Sequence, residues 1–151
     1  RKLWTPMHAE ESALWSLDRK DGMEKAYCCF NSNARDFARF GQLLLNNGQW
    51  DGQQLISPAY LAEATSPDTR LVYKDLGKPN HCYGFQYWIL DYKGMKIPYM
   101  RGILGQYVFT LPEKNAVIVR LGHKRSDTYT ADQHYPDDIN TWLDAAMDLL
   151  Q

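Results

Sequence analysis

The stretch Met95-Lys96-Ile97-Pro98-Tyr99-Met100-Arg101, Gly102-Ile103-Leu104-Gly105, Gln106-Tyr107-Val108-Phe109-Thr110-Leu111 decides the fold of this 151-residue chain. Two runs rich in aromatic and branched side chains flank a four-residue segment with Gly at both ends, the pattern of two strands joined by a bend. Outward from it the pattern repeats. Upstream, Tyr83 to Leu90 is rich in aromatics, and Lys93-Gly94 turns the chain back into Met95. Downstream, Pro112-Glu113-Lys114-Asn115 connects to Ala116-Val117-Ile118-Val119-Arg120-Leu121. Links this short favour antiparallel neighbours, because parallel pairs need long crossovers. The reading is a meander of four strands.

Helices flank the meander. From Asn33 to Asn47, Ala34, Phe37, Ala38, Gly41, Leu44 and Leu45 recur at three- and four-residue steps and make one apolar stripe. Asn31, Ser32 or Asn33 caps the start, Asp36 favours the positive end of the dipole, and Asn47-Gly48 closes the helix. Trp50-Asp51-Gly52 turns the chain toward Ser57-Pro58, which opens a short helix ending near Thr65. A polar loop spans Asp75 to Asn80. The last helix begins at Pro136 and buries Ile139, Trp142, Leu143, Ala146, Leu149 and Leu150. Residues 1–30 read as loop, with a turn at Asp18-Arg19-Lys20-Asp21-Gly22. Trp4, Trp15 and Met23 there need cover from elsewhere. The fold class is α+β, an antiparallel sheet of about four strands packed with helices.

Composition narrows the function classes. Net charge is −1, and the cluster His123-Lys124-Arg125 is a solvated turn. Electrostatic capture of nucleic acid needs a broader positive surface, so no nucleic-acid partner is expected. No apolar run approaches the roughly 20 residues that cross a bilayer. Arg1-Lys2-Leu3-Trp4-Thr5-Pro6 lacks the apolar core of a signal peptide and reads as a cut inside a longer chain. Cys28, Cys29 and Cys82 are expected to be structural thiols, since adjacent cysteines seldom bond to each other. A metal site from these three and His81 lacks the usual ligand spacing, and no metal or cofactor is expected.

No complete catalytic set is present. Ser12, Ser16, Ser32, Ser57, Ser66 and Ser126 all lack Lys at the third following position, and no Gly-x-Ser-x-Gly elbow occurs. Ser16 with Lys20, and Ser126 with His123, supply neither a buried base nor an orienting acid. His8, His81, His123 and His134 are scattered, and Asp137-Asp138 suits a helix dipole. Gly102 and Gly105 stand apart from this background. Glycine between apolar strand residues marks either a bulge or the close approach of a ligand or backbone, and its neighbour's N–H can point at a ligand oxygen.

Two stretches resemble the penicillin-recognising serine hydrolases, the group of class C β-lactamases, related esterases and 6-aminohexanoate-dimer hydrolases. The first runs through Ala13-Leu14-Trp15-Ser16-Leu17-Asp18 and Gly22-Met23-Glu24-Lys25-Ala26 into Phe30-Asn31-Ser32-Asn33. It continues as Ala34-Arg35-Asp36-Phe37-Ala38-Arg39-Phe40-Gly41, similar to the family's A-R-D-x-A-R-x-G helix, before the turn Trp50-Asp51-Gly52. The second runs from Gly102-Ile103-Leu104-Gly105-Gln106-Tyr107 through Leu111-Pro112-Glu113-Lys114 to Val117-Ile118-Val119-Arg120-Leu121, and resembles the family's closing strand pair.

The resemblance implies that residues 1–151 are the C-terminal fragment of a β-lactamase/transpeptidase-like domain. In that family a Ser attacks an amide or ester carbonyl, a Lys and a Tyr share the proton work, and an acyl-enzyme forms. The Ser-x-x-Lys and Tyr-x-Asn motifs precede the part represented here. Met100-Arg101-Gly102 takes the place of the lactamase Lys-Thr-Gly, and Ile103 would offer its backbone N–H as half of an oxyanion hole. Met100 cannot hold a carboxylate as that Lys does, which argues against β-lactamase activity and leaves amide or ester hydrolysis. Arg101 either meets an anionic group or faces outward from its strand. The expected partners are the missing N-terminal part of the same protein and a small amide or ester substrate, with pairing of two copies through sheet edges as a further reading. The expected compartment is the bacterial envelope or periplasm. A non-catalytic binding or partner module is the rival.

Overall fold

A computed structural model describes residues 2–74, 77–131 and 134–150. Asp75 of the expected polar loop and Arg1 of the expected cut lie outside them. In chain order the elements are β1 (Leu14–Trp15), β2 (Phe30–Asn31), α1 (Ala34–Leu45), β3 (Gln49–Trp50), β4 (Gln53–Gln54) and α2 (Pro58–Ala64). There follow β5 (Val72–Tyr73), β6 (Lys78–Pro79), β7 (Trp88–Tyr92), β8 (Met95–Arg101), β9 (Gln106–Leu111), β10 (Ala116–Leu121) and α3 (Asp138–Leu149). The architecture is α+β. Its centre is a four-stranded antiparallel sheet in the order β10-β9-β8-β7, and three two-stranded hairpins lie outside it.

The expected meander is present, with β8, β9 and β10 at the predicted bounds. Turn chemistry sets those bounds. Lys93 and Gly94 both take positive φ, 52° and 86°, the mirror-image turn whose twist suits a two-residue hairpin. Asn115 adopts the left-handed region after a 3₁₀ turn over Pro112–Lys114 and returns the chain into β10. The upstream strand departs from expectation. It runs from Trp88 to Tyr92, while Tyr83 makes only an isolated bridge to Trp88. Gly84 packs on the end of α2, where a Cβ would stand 2.1 Å from the Ala64 carbonyl oxygen, so the chain enters the sheet later than its aromatic content suggests.

Side-chain alternation gives the sheet two buried faces. Ile97, Tyr99, Tyr107, Phe109 and Leu111 face α3 and meet Ile139 and Leu143 in the main core. Trp142, Leu149 and Leu150, expected in the same stripe, stay largely exposed, because the contact narrows to Ile139, Leu143 and Ala146. The opposite face receives α1 through Gly41. A Cβ there would stand 2.5 Å from Val117 Cγ1, so glycine sets how closely the helix lies on the sheet. Thr110 lies on this face opposite Val117. It is buried, and its hydroxyl finds no hydrogen-bond partner among the described residues. Thr110→Val removes that orphan donor at nearly constant shape and should stabilise the chain by about 1 kcal/mol. Urea unfolding midpoints of the two forms measure the difference, and a lower midpoint for the variant would contradict it.

Asn33 caps α1, its side chain accepting from the Asp36 N–H at 2.8 Å, and Ser57 caps α2 through the Tyr60 N–H at 3.0 Å. The single stripe expected for α1 is corrected. Ala34 is exposed and Leu43 is buried, because the helix serves two partners. Phe37 and Phe40 turn toward an aromatic cluster built by residues 4–30. Trp4 packs against Phe30 and Phe40 with ring centres 5.2 and 5.9 Å apart, and Trp15 against Phe30 at 5.3 Å. Trp4 is thus half-buried within the chain, while Trp15 remains 45% and Met23 75% exposed.

The cysteine expectation is also corrected. Cys28 and Cys29 are joined by a disulfide, with Cys29 in the left-handed region at φ 71°. The turn is braced from outside: Ser16 N–H donates to the Cys29 carbonyl, and the Trp15 indole N–H to the Cys28 carbonyl. Cys82 is a buried free thiol, pushed above its ordinary pKa by burial.

Candidate active site

The end of β8 is where this sheet offers an open edge. On one side β9 pairs with Tyr99, Met100 and Arg101. On the other side β7 reaches only as far as Tyr99, which pairs with Trp88. Among the described residues, no strand lies beyond Met100 and Arg101 on that side. An extended peptide or acyl chain can add to such an edge through its own amide groups.

The four residues after Arg101 form a tight turn. Gly102 N–H donates back to the Gln106 carbonyl at 2.8 Å, and Gly105 N–H to the Gly102 carbonyl at 3.3 Å. The Gly102 carbonyl accepts from Gly105 N–H inside the turn, so Ile103 N–H, on the other side of the same trans peptide, points away from the turn's interior. Among the described residues that N–H meets no acceptor. The Ile103 side chain is 80% exposed, and Leu104 beside it is half exposed. An exposed N–H with no acceptor in the chain is free to meet solvent or a ligand oxygen.

Arg101 does not face outward. Its guanidinium carbon lies 3.4 Å from the centre of the Trp88 ring, and one nitrogen donates to the His134 carbonyl at 3.0 Å and the Tyr99 hydroxyl at 3.4 Å. The side chain is half-buried and pairs with no carboxylate among the described residues. Met100, on the opposite face, is half-buried and pairs in register with Val108.

Two buried phenols lie near the edge. Burial pushes the Tyr107 phenol up to about 12, with the nearby Asp138 carboxylate adding to the rise. Burial raises the Tyr99 phenol further still. Both stay protonated at neutral pH, so neither serves as a general base. The Ser126 hydroxyl is bonded to that of Thr128 at 2.8 Å. Among the described residues, no Lys or His bonds the hydroxyl of Ser16 or Ser126, and no three His, Cys, Asp or Glu side chains gather as metal ligands.

No family model matches the chain. A search of curated proteins finds the 6-aminohexanoate-dimer hydrolase of Paenarthrobacter ureafaciens, 27% identical over 123 residues, covering 79% of this chain and 31% of that protein. Among solved structures, a Bacillus anthracis protein given the same hydrolase name superimposes with a TM-score of 0.71 at 26% identity, covering 99% of this chain and 36% of that one. The chain is thus similar to two proteins named as 6-aminohexanoate-dimer hydrolases, and it spans about a third of the length of each. Met100 and Arg101 end β8, and Gly102 and Ile103 follow directly in the turn.

That reading missed the braces around the turn. Gln106 Oε1 accepts from Leu104 N–H at 3.2 Å, while its Nε2 donates to the Gly122 carbonyl at 2.7 Å. Arg125 Nε donates to the Ile103 carbonyl at 2.9 Å, and Arg120 reaches the Gly105 carbonyl. The one signal within reach of the sequence was the spacing of Gly102 and Gln106. A Cβ at residue 102 would stand 2.3 Å from Gln106 Oε1, so glycine there leaves room for that carboxamide.

Proposed function

We propose that this chain forms one wall of a serine hydrolase active site of β-lactamase/transpeptidase-like fold, acting on amide or ester bonds through an acyl-enzyme. Ile103 N–H is one of the two oxyanion donors. Met100, Arg101 and Gly102 line the acyl group with their backbone edge, and Arg101 holds that edge in place by lying on Trp88. The nucleophile and its base come from a further part of the same protein, and residues 1–151 act as a fragment of that domain. The observation that carries this reading is the unpaired Ile103 amide beside the uncovered end of β8. The names of the two hydrolase relatives support the reaction class and suggest small amide substrates.

Chemistry sets the expected behaviour of the chain alone. An oxyanion donor stabilises a transition state only when a nucleophile has attacked, and a serine is a weak nucleophile without a nearby base. The chain by itself should release no chromophore from an activated ester above the buffer rate and should take no label from a fluorescent phosphonate. Stoichiometric labelling of any serine here, located by peptide mass mapping, would sink the proposed division of labour. It would also exclude the purely non-catalytic module.

A further inference from the structure

The turn that presents Ile103 N–H is held by side chains on two of its peptide groups and by a backbone hydrogen bond on a third. The Gly102 carbonyl is taken by Gly105 N–H, and the Ile103 carbonyl by Arg125 Nε. Leu104 N–H is taken by Gln106 Oε1, and the Gly105 carbonyl by Arg120. Among the described residues, the backbone N–H and carbonyl groups of the turn find partners inside the chain except for Ile103 N–H and the Leu104 carbonyl.

Gln106 is the centre of this arrangement. Its carboxamide spans from Leu104 N–H to the Gly122 carbonyl at the end of β10, tying the turn to the neighbouring strand. Two glycines make room for the braces. A Cβ on Gly102 would collide with the Gln106 carboxamide, and one on Gly122 would stand 2.1 Å from Arg120 Nη1. A half-buried carboxamide with both ends bonded, under a turn whose apolar side chains are exposed, is more than the turn needs simply to close. A four-residue turn closes through its own i to i+3 hydrogen bond. The additional bond at Leu104 fixes the plane of the peptide next to the Ile103 amide.

We infer that Gln106 is a positioning residue for the oxyanion donor: by bonding Leu104 N–H and the Gly122 carbonyl, it holds Ile103 N–H aimed at the open edge of β8. This rests on the proposed hydrolase reading, in which that amide meets the acyl oxygen. A donor that is already oriented stabilises developing charge without reorganising at the moment of reaction. A donor that must first rotate into place loses that advantage. Displacements on the order of 1 Å in a reacting geometry cost about a hundredfold in rate.

The test has two arms. In this chain, amide hydrogen exchange measured by nuclear magnetic resonance reads the brace directly. Gln106→Met keeps side-chain length but removes both hydrogen bonds, and should speed exchange at Leu104 about fivefold. Gln106→Glu keeps an acceptor for Leu104 N–H but loses the donor to the Gly122 carbonyl, and should speed exchange less than Gln106→Met does. In the complete protein, steady-state turnover of an activated ester reads the consequence. Gln106→Met should lower kcat about tenfold or more with KM within about twofold, and Gln106→Glu should recover part of kcat. A merely structural role would lower the thermal midpoint without this split. Unchanged exchange at Leu104 overturns the brace. Faster exchange with undiminished kcat overturns the positioning role while leaving the hydrolase reading intact. No turnover by the unsubstituted complete protein overturns the hydrolase reading itself, and the positioning role with it.

Discussion

With Ile103 N–H as the proposed oxyanion donor, Ile103→Pro in the complete protein should lower kcat for an ester or amide substrate by about a hundredfold to a thousandfold. The substitution is selective because of where residue 103 sits. It is the second residue of the turn closed by Gly105 N–H and the Gly102 carbonyl, a position at which proline is favoured. Among the described residues its N–H bonds no acceptor, so proline deletes a donor that the fold does not use. The thermal midpoint should therefore stay near that of the parent while kcat falls. Ile103→Ala, which keeps the N–H, separates the amide from the exposed side chain and should change kcat by less than about tenfold. Equal losses in the two variants would show that the side chain, not the amide, matters.

The largest effect on stability is expected at Asp36. Its carboxylate is fully buried at the start of α1 and accepts from Glu10 N–H at 2.8 Å, Glu11 N–H at 3.1 Å and Asn33 Nδ2 at 2.8 Å. Arg39 lies 3.6 Å away. One carboxylate thus fastens the segment before β1 to the first turn of the helix and complements the helix dipole. Asp36→Ala leaves two backbone donors, an amide and a guanidinium without their acceptor, and should cost about 3–5 kcal/mol in urea unfolding.

The pH dependence of that contribution has a definite sign. Burial works to raise the Asp36 pKa, but the hydrogen bonds from Glu10, Glu11 and Asn33, with the charge of Arg39, outweigh it and hold the carboxyl below its ordinary 3.8. The folded state then binds fewer protons than the unfolded state in that range. Asp36 contributes its full stabilisation above pH 3.8 and loses it as pH falls through the lowered folded value. Unfolding free energies of parent and Asp36→Ala should converge on acidification. A gap that stayed constant down to the acid transition would contradict the account.

The parts of the fold that were legible in the sequence are those governed by nearby residues. The bounds of β8, β9 and β10 follow from Lys93-Gly94, the Gly102 to Gly105 turn and Pro112 to Asn115. The starts of α1 and α2 follow from Asn33 and Ser57. The illegible parts depend on contacts that cross the chain. Residues 1–30 read as loop because the order of those described comes from Asp36, Phe37 and Phe40, which lie beyond them. The α1 stripe was misread because the helix packs against two surfaces, one set by Gly41 and one by Phe37 and Phe40. The bond between Cys28 and Cys29 depends on a left-handed residue that composition does not announce.

The site divides in the same way. The spacing of Gly102 and Gly105, together with the family resemblance, located Met100, Arg101, Gly102 and Ile103 at one strand end. The resting place of Arg101 on Trp88 needed the register of β7 against β8. The braces from Arg120 and Arg125 bridge 15 and 22 residues, and no local pattern in the sequence encodes them.

The most direct test of the central claim is a crystal structure of the complete hydrolase with its serine trapped by a phosphonate. Ile103 N should then lie about 2.7–3.1 Å from the phosphoryl oxygen that mimics the oxyanion. The same oxygen bonded to other donors, with Ile103 N–H turned away from the open end of β8, would contradict it.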